Sequence, residues 1–425
     1  MRQILICLAL LAAVGLMAQQ TPAPPQKGSV LITNATVHLG TGKAMANAAV
    51  GFANGKITYV GSSPTPSNFD QVIDATGKHV YPGFIAANTV LGLVEVDAVR
   101  ATRDDREVGA LNPNVRSLIA YNTDSDVTPT VRSMGVLMAE IVPRGGRVSG
   151  QSSVVSLDAW NWEDAAYATD IAIHLNWPRA YSWSGWWAEP GAVTENKKYV
   201  EQIGQVESYL EEALAYTQSE PVIKNLKFEA MRGLFDGTKK LFVHVNQAKS
   251  IMDVVALKTA YNLDMVLVGG EHAYLVADLL KKHNIPVVLD LVQALPTAED
   301  DDIDLPFRLP KMTHDAGLTF ALSHENAWEQ RNLIFQAGQA ISYGLDYEQA
   351  VKSLSLAPAM IFGLDKTLGS IEKGKDATLF ISSGDVFDAR SSAVEQAFIQ
   401  GRSIDVDNKQ KALWRKFKAK YDTEK

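Results

Sequence analysis

Between residues 241 and 323, short apolar runs alternate with segments of helical periodicity. The runs 241–245, 265–268, 286–289 and 319–323 are rich in Val, Leu, Ile and Phe, with no polar alternation. Runs of this length and kind predict strands buried on both faces. The intervening segments 248–261 and 273–283 carry apolar residues at helical spacing and predict helices. Strand and helix in alternation is the pattern of parallel βα units. The pattern extends less regularly over 83–364. It is weakest from Asp97 to Pro221, apart from 130–143, which predicts a helix leading into a second strand.

The flanks have a different rhythm. Residues 30–32, 49–53 and 56–60 read as short strands, and Asn54-Gly55 between the last two is a strong hairpin signal. Residues 377–381 and 394–399 again read as strands, with Gly401-Arg402 as the turn into a final short one. The expectation is an α/β protein: a (β/α)8 barrel of the TIM type over 83–364. A small β-sandwich domain is expected from the two ends, residues 28–82 and 365–410, followed by a charged tail, 411–425.

Composition narrows the setting. The chain has 425 residues, 46% hydrophobic and 21% charged, and a formal net charge of −8. That balance suits a globular protein and argues against a nucleic-acid partner, which needs a basic face. Residues 1–18 read as a signal peptide, with Arg2 before an apolar stretch that ends at Ala18, and 19–27 as a leader. A periplasmic or secreted location is expected, without stable membrane insertion. The single cysteine, Cys7, falls within the signal. A mature chain without thiols excludes a cysteine nucleophile and a zinc–thiolate site.

Several fragments then fall into a familiar order: residues 31–37, Asn54-Gly55-Lys56-Ile57, Asp74-Ala75-Thr76-Gly77-Lys78 and Pro82-Gly83-Phe84-Ile85. After a barrel-length gap come Ala357-Pro358-Ala359, Gly363-Leu364, Leu368-Gly369-Ser370-Ile371 and residues 373–377. The ordered set resembles the amidohydrolase superfamily, in particular its secreted imidazolonepropionase-related members. The resemblance implies a hydrolase of non-peptide or small-peptide C–N bonds. It implies one or two divalent metals at the barrel mouth, which lower the pKa of bound water and polarise the scissile carbonyl.

Set against that pattern, key positions depart. Where the family carries His-x-His on strand one, this chain has Asn88 and Val90, with Ala86 at the preceding Asp position. Valine has no lone pair to donate, and an amide oxygen is a weak ligand. His244 and His272 match the histidines of strands five and six and are the candidate metal ligands. The last strand reads Ala321-Leu322-Ser323-His324-Glu325-Asn326 and lacks the terminal aspartate, which leaves His324 or Glu325 as catalytic candidates. For the strand-four bridging ligand no residue aligns; Lys224 and Lys227 lie nearby. The resemblance thus implies at most one zinc or other divalent metal, or none.

Other stretches bear on ligand recognition. The glycine- and hydroxyl-rich segment 144–153, with Arg144, Arg147 and Gln151, is either an anion-cradling mouth loop or plain surface. Arg103 belongs to a mixed charge run, 100–107, close enough to strand one to reach the mouth. Six of the eight tryptophans fall between 160 and 187, and either line a groove or pack one lid. Asp300-Asp301-Asp302-Ile303-Asp304 reads as an acidic surface loop. Two functions stay open. One is a metal-dependent hydrolase of small molecules or small peptides. The other is a non-catalytic barrel acting as a binding or partner subunit, as a homo-oligomer or beside a related hydrolase. A third arrangement, a metal-free site of His244, Glu271, His272 and His324, has no nucleophile spacing to support it.

Overall fold

A computed structural model of the chain describes residues 21–62, 68–186, 189–219, 223–296 and 301–422. The predicted signal peptide, Cys7 included, lies outside these residues. Five strands open the chain: β1 (Ser29–His38), β2 (Ala44–Ala53), β3 (Lys56–Gly61), β4 (Gln71–Asp74) and β5 (His79–Pro82). The β2–β3 turn is the expected Asn54-Gly55, and both residues have positive φ, 51° and 76°. That is the geometry in which a two-residue hairpin matches strand twist.

The barrel wall follows. It is built from β6 (Phe84–Thr89), β7 (Val136–Ile141), β8 (Val148–Ser156) and β9 (Ala166–Asn176). After a separate hairpin, β10 (Tyr181–Trp186) and β11 (Glu189–Glu195), come β12 (Lys240–Val245), β13 (Met265–Gly269), β14 (Val287–Leu289) and β15 (Phe320–Leu322). Hydrogen bonding runs in the order β15-β14-β13-β12-β9-β8-β7-β6. A single bridge between Ala87 and Ser323 brings the first and last strands together, so the eight-stranded sheet is nearly closed. β7 and β13 are buried along their whole length, as continuous apolar runs require when both faces are covered.

The barrel departs from the all-parallel expectation at one strand. β8 runs antiparallel to both β7 and β9. The connections explain it: residues 142–147 and 157–165 are all that separate these strands, and a parallel crossover needs about a dozen residues. The chain therefore meanders, which places 142–147 at the mouth and 157–165 at the opposite end. Part of the segment read as a loop, 144–153, is thus a buried barrel strand. From β12 onward the βα alternation is regular. Helix Ala248–Tyr261 ends at Asn262, whose φ of 51° forms a left-handed cap. The helix expected at 273–283 is a 3-10 turn followed by a short helix, Ala277–Lys282.

The ends of the chain meet in one mixed sheet. β16 (Leu379–Ser382), β17 (Val394–Ile399) and β18 (Arg402–Ile404) join β1–β5 in the order β18-β17-β16-β5-β1-β2-β3, with β4 pairing β1. Asn34 in β1 has a φ of 60° beside a register shift between Ile32 and Ala35. Bulges of this kind bend a strand, and here one sheet folds over its own core of Val30, Ile32, Phe52, Ile57 and Phe398. The last helix, Lys409–Asp422, buries none of its residues.

An ion network joins this sheet to the bottom of the barrel. Asp158, in the 157–165 connection, pairs with Arg132 at 3.0 Å and with Arg402 of β18 at 2.8 Å. Asp158 and Arg132 are both buried. Removing the shared carboxylate charge leaves two guanidinium groups facing each other, a change that costs about 3–5 kcal/mol at buried pairs. Asp158→Asn is expected to lose that much stability in chemical denaturation; a loss below about 1 kcal/mol would show that the network does not hold the two parts together.

Candidate ligand site at the barrel mouth

The C-terminal ends of the strands carry a ring of polar residues that the barrel interior otherwise lacks. Near the end of β6 stands Asn88, fully buried and held at a φ of 52°. Asparagine tolerates this left-handed conformation because its short polar side chain adds little steric penalty. β7 contributes Glu140, also fully buried. It accepts the backbone N–H of Asn88 at 3.0 Å and the hydroxyl of Ser152 at 2.8 Å. The small hydroxyl side chains of β8 leave the room this carboxylate occupies.

Arg144 sits at the centre. It leaves the loop between β7 and β8 and turns its guanidinium onto Asn88, donating to the side-chain Oδ1 and to the backbone oxygen, each at 2.7 Å. Its side chain is 14% exposed, and Glu325 lies 4.0 Å away. Burial lowers the Arg144 pKa, while Glu325, Asp290, Glu140 and Asp105 oppose the shift. Four acids around one partly desolvated guanidinium keep it charged. Of the loop's N–H groups, those of Arg144, Arg147 and Val148 are spent on the carbonyls of Asp105 and Ala110.

A pair of neutral histidines lines the next strands. His174 of β9 is fully buried, and its Nδ1 lies 3.0 Å from Nε2 of His244 on β12. His174 Nε2 lies 3.4 Å from Glu140. Burial lowers the pKa of both rings; His174 further lowers that of His244, and Glu140 partly offsets the shift of His174. With both rings neutral, the proton pattern that fits is His174 donating toward Glu140 and accepting from His244.

Of these residues, His244 and Glu325 border a cavity of about 530 Å³ whose lining also includes Trp177, Arg179, Asn246, Glu271, His272 and Asp290. Asp290 follows β14 with its Oδ1 buried and without a hydrogen-bond partner among the described residues. Burial first, then the charge of Glu325, pushes its carboxyl up to about 7, against the pull of Arg144. Gly269, at the end of β13 with a φ of 95°, is required here. A Cβ at that position would stand 2.1 Å from Asn246 Oδ1 and 3.1 Å from Asp290 Oδ2.

The structure gathers some of the sequence candidates and separates others. Asn88, Arg144, His244, His272 and Glu325 share the mouth. His324 is buried, its Nδ1 without a hydrogen-bond partner among the described residues, and does not border the cavity. Val90 is a buried core residue whose N–H bonds Glu325 O at 3.1 Å. Gln151 is tied on the outer side of β8 to Lys239. Arg103 pairs with the buried Asp105 at 3.6 Å, and Arg106 with the same acid at 3.0 Å. Lys224 and Lys227 are exposed, far in sequence from β9. Asp302 and Asp304 pair with Arg308 at the start of helix Leu305–Asp315, while Asp300 lies outside the described residues. Among the described residues the tryptophans do not form one cluster, and Trp187 lies outside these residues. Trp160 and Trp162 sit at the bottom of the barrel and Trp177 at the mouth, because β9, with its 11 residues, lies between them, a span of about 35 Å.

Glu140, His174 and Asp290 were not among the sequence candidates. Each had one signal, a lone polar residue within or directly after an apolar strand. Among the described residues, no three His, Cys, Asp or Glu side chains converge to hold a metal ion.

Comparison with known proteins agrees with the architecture. Residues 228–404 match the amidohydrolase family, so this part of the chain carries an amidohydrolase-family domain. A solved amidohydrolase from Thermotoga maritima MSB8 has a TM-score of 0.77 at 25% identity, covering 88% of this chain and 99% of that one. The A. niger ochratoxinase has a TM-score of 0.53 at 14% identity, covering 89% and 96%, which is likeness of fold alone. Amidohydrolase tasK of Hapsidospora irregularis is 32% identical over 92 residues, 21% of this chain. The chain spans only 9% of the length of that curated relative.

The raised Asp290 carboxyl has a signed consequence. Between the ordinary value of 3.8 and about 7, the folded state keeps a proton that the unfolded chain has released. Stability therefore falls as pH rises through that window. Relative to Asp290→Asn, the protein is expected to lose about 2–3 kcal/mol of unfolding free energy between pH 5 and pH 8. Parallel pH profiles for the two proteins would contradict the burial of this carboxyl.

Proposed function

We propose that the chain is a small-molecule-binding barrel built on the frame of a C–N bond hydrolase, with the Arg144 guanidinium supplying the positive charge at its mouth. In the motif frame shared with the imidazolonepropionase-related proteins, Asn88 and Val90 stand at the two imidazole positions of strand one. The pair of 2.7 Å bonds from Arg144 to Asn88 carries the reading. The residues present do not fit a divalent ion. Val90 has no donor atom, Asn88 Oδ1 is engaged by Arg144, and a guanidinium at that point repels a second cation. His244 Nε2 is turned to His174 rather than toward a common centre with His272.

A fixed guanidinium can hold a carbonyl or carboxylate oxygen in a defined direction. The cavity beside it offers amide, imidazole and carboxyl groups together with Trp177, a lining suited to a small peptide-like or N-acylated ligand. A second reading, hydrolysis by the chain's own groups, is favoured by Asp290. A carboxyl near 7 in the same cavity is matched to taking a proton from water at neutral pH.

The metal content of the purified protein tests the proposal. After a chelator wash it is expected to hold well under one equivalent of zinc, nickel or manganese, with an unchanged melting temperature. Two tightly held ions per chain would overturn it. Turnover of dipeptides or N-acyl amino acids that survives chelation and disappears in Asp290→Asn would select the second reading over binding alone.

A further inference from the structure

A second cavity, of about 520 Å³, lies away from the mouth, between β8, β9 and β12 on one side and helices Tyr199–Thr217 and Leu226–Asp236 on the other. Its walls are apolar: Ile173 and Leu241 from the strands, Val206 and Leu210 from the first helix, Met231 and Leu234 from the second. Voids much larger than a water molecule are rare in protein interiors, and apolar ones give water too few partners to fill them. A space of this size and character is suited to an apolar ligand.

Among the polar groups that border it, Tyr209 and Arg147 keep hydrogen-bonding capacity to spare. The hydroxyl of Tyr209 is buried and has no hydrogen-bond partner among the described residues. Burial pushes its pKa up to about 12, so it stays a donor at neutral pH. Arg147, partly buried, stands at the end formed by residues 109–111 and 146–148. Burial lowers its pKa, with no carboxylate partner acting against the shift. Among the described residues its guanidinium makes one bond, from Nη1 to Asn176 O at 2.6 Å, which leaves most of its five donors unspent there.

The rim at that end is firmly built. The N–H groups of Arg147 and Val148 both bond Ala110 O, at 2.6 and 2.9 Å. Gly146, at a φ of 67°, lets the two loops close, since a Cβ there would meet Ala110 O at 2.9 Å and Gly109 O at 3.0 Å. The cationic group is thereby fixed at the edge of an apolar space.

We propose that this cavity binds a medium-chain aliphatic carboxylate, its tail between the barrel wall and the two helices and its head group on Arg147, with the Tyr209 hydroxyl as a further donor. The site is separate from the mouth and does not depend on the function proposed for it. Calorimetric titration and native mass spectrometry of the full chain with decanoate, and with decanol as the uncharged control, provide the test. Decanoate is expected to bind one per chain and raise the melting temperature. Arg147→Gln should weaken decanoate at least tenfold while changing decanol less than twofold. Val206→Phe, or Met231→Phe if the first does not melt cooperatively, should abolish binding of both by filling the space. Failure of decanoate to bind the wild-type chain at millimolar concentration would overturn the proposal, as would equal affinity in Arg147→Gln. Retention of binding in a folded cavity-filling variant would overturn it too. None of these results alters the metal content, so the two proposals fail separately.

Discussion

The hydrogen bonds between the Arg144 guanidinium and Asn88 set the terms for the rest of the barrel mouth. Withdrawing a guanidinium from water costs several kcal/mol unless hydrogen bonds and opposite charge replace hydration. Asn88 supplies two acceptors only because its backbone adopts a left-handed conformation that turns the carbonyl and the side-chain oxygen the same way. Glu140 holds that conformation by accepting the Asn88 N–H. The acids around the site then act on one fixed cation, which offsets part of the repulsion between Asp290 and Glu325.

The neighbouring groups follow from that charge. His244 lies close enough to Arg144 that protonation of the ring is disfavoured by burial, by His174 and by the guanidinium. Asp290 is drawn the other way by Arg144, yet burial and Glu325 prevail and leave it near neutrality. The result is a mouth with the fixed charge of Arg144 beside Asn88, neutral imidazoles at His174 and His244, and a carboxyl that titrates near pH 7. A binuclear metal site needs the opposite arrangement, with imidazole lone pairs turned to a common centre and no resident cation. Family likeness fixes the frame here, while the chemistry follows from the side chains at the mouth.

The parts of the fold legible in the sequence are those with a local cause. β12 to β15 announce themselves because strands buried on both faces are continuously apolar, and Asn54-Gly55 marks a hairpin through its own backbone preference. β8 stays hidden because serine and glycine fill five of its nine positions, with Ser152 bonded to Glu140, so its composition reads as a loop. Its antiparallel course was nonetheless implicit in the short connections, once its ends are known. The site was legible only in part. Asn88, His244, His272 and Glu325 could be singled out from the motif frame and Arg144 from its glycine- and hydroxyl-rich segment, but not the pairing of Arg144 with Asn88, which joins residues 56 positions apart. Glu140, His174 and Asp290 are single polar residues against apolar strands, a signal that has meaning only when the strands are known to face one mouth.

On the proposed function, a guanidinium and not a metal ion holds the positive charge at the end of β6. Anomalous diffraction at the zinc edge, from crystals grown with excess zinc at pH 7.5, distinguishes the two. Density is expected for the Arg144 side chain against Asn88, with no anomalous peak within reach of Asn88, His244 or His272. An ordered zinc peak there, with Arg144 swung away from Asn88, would contradict it.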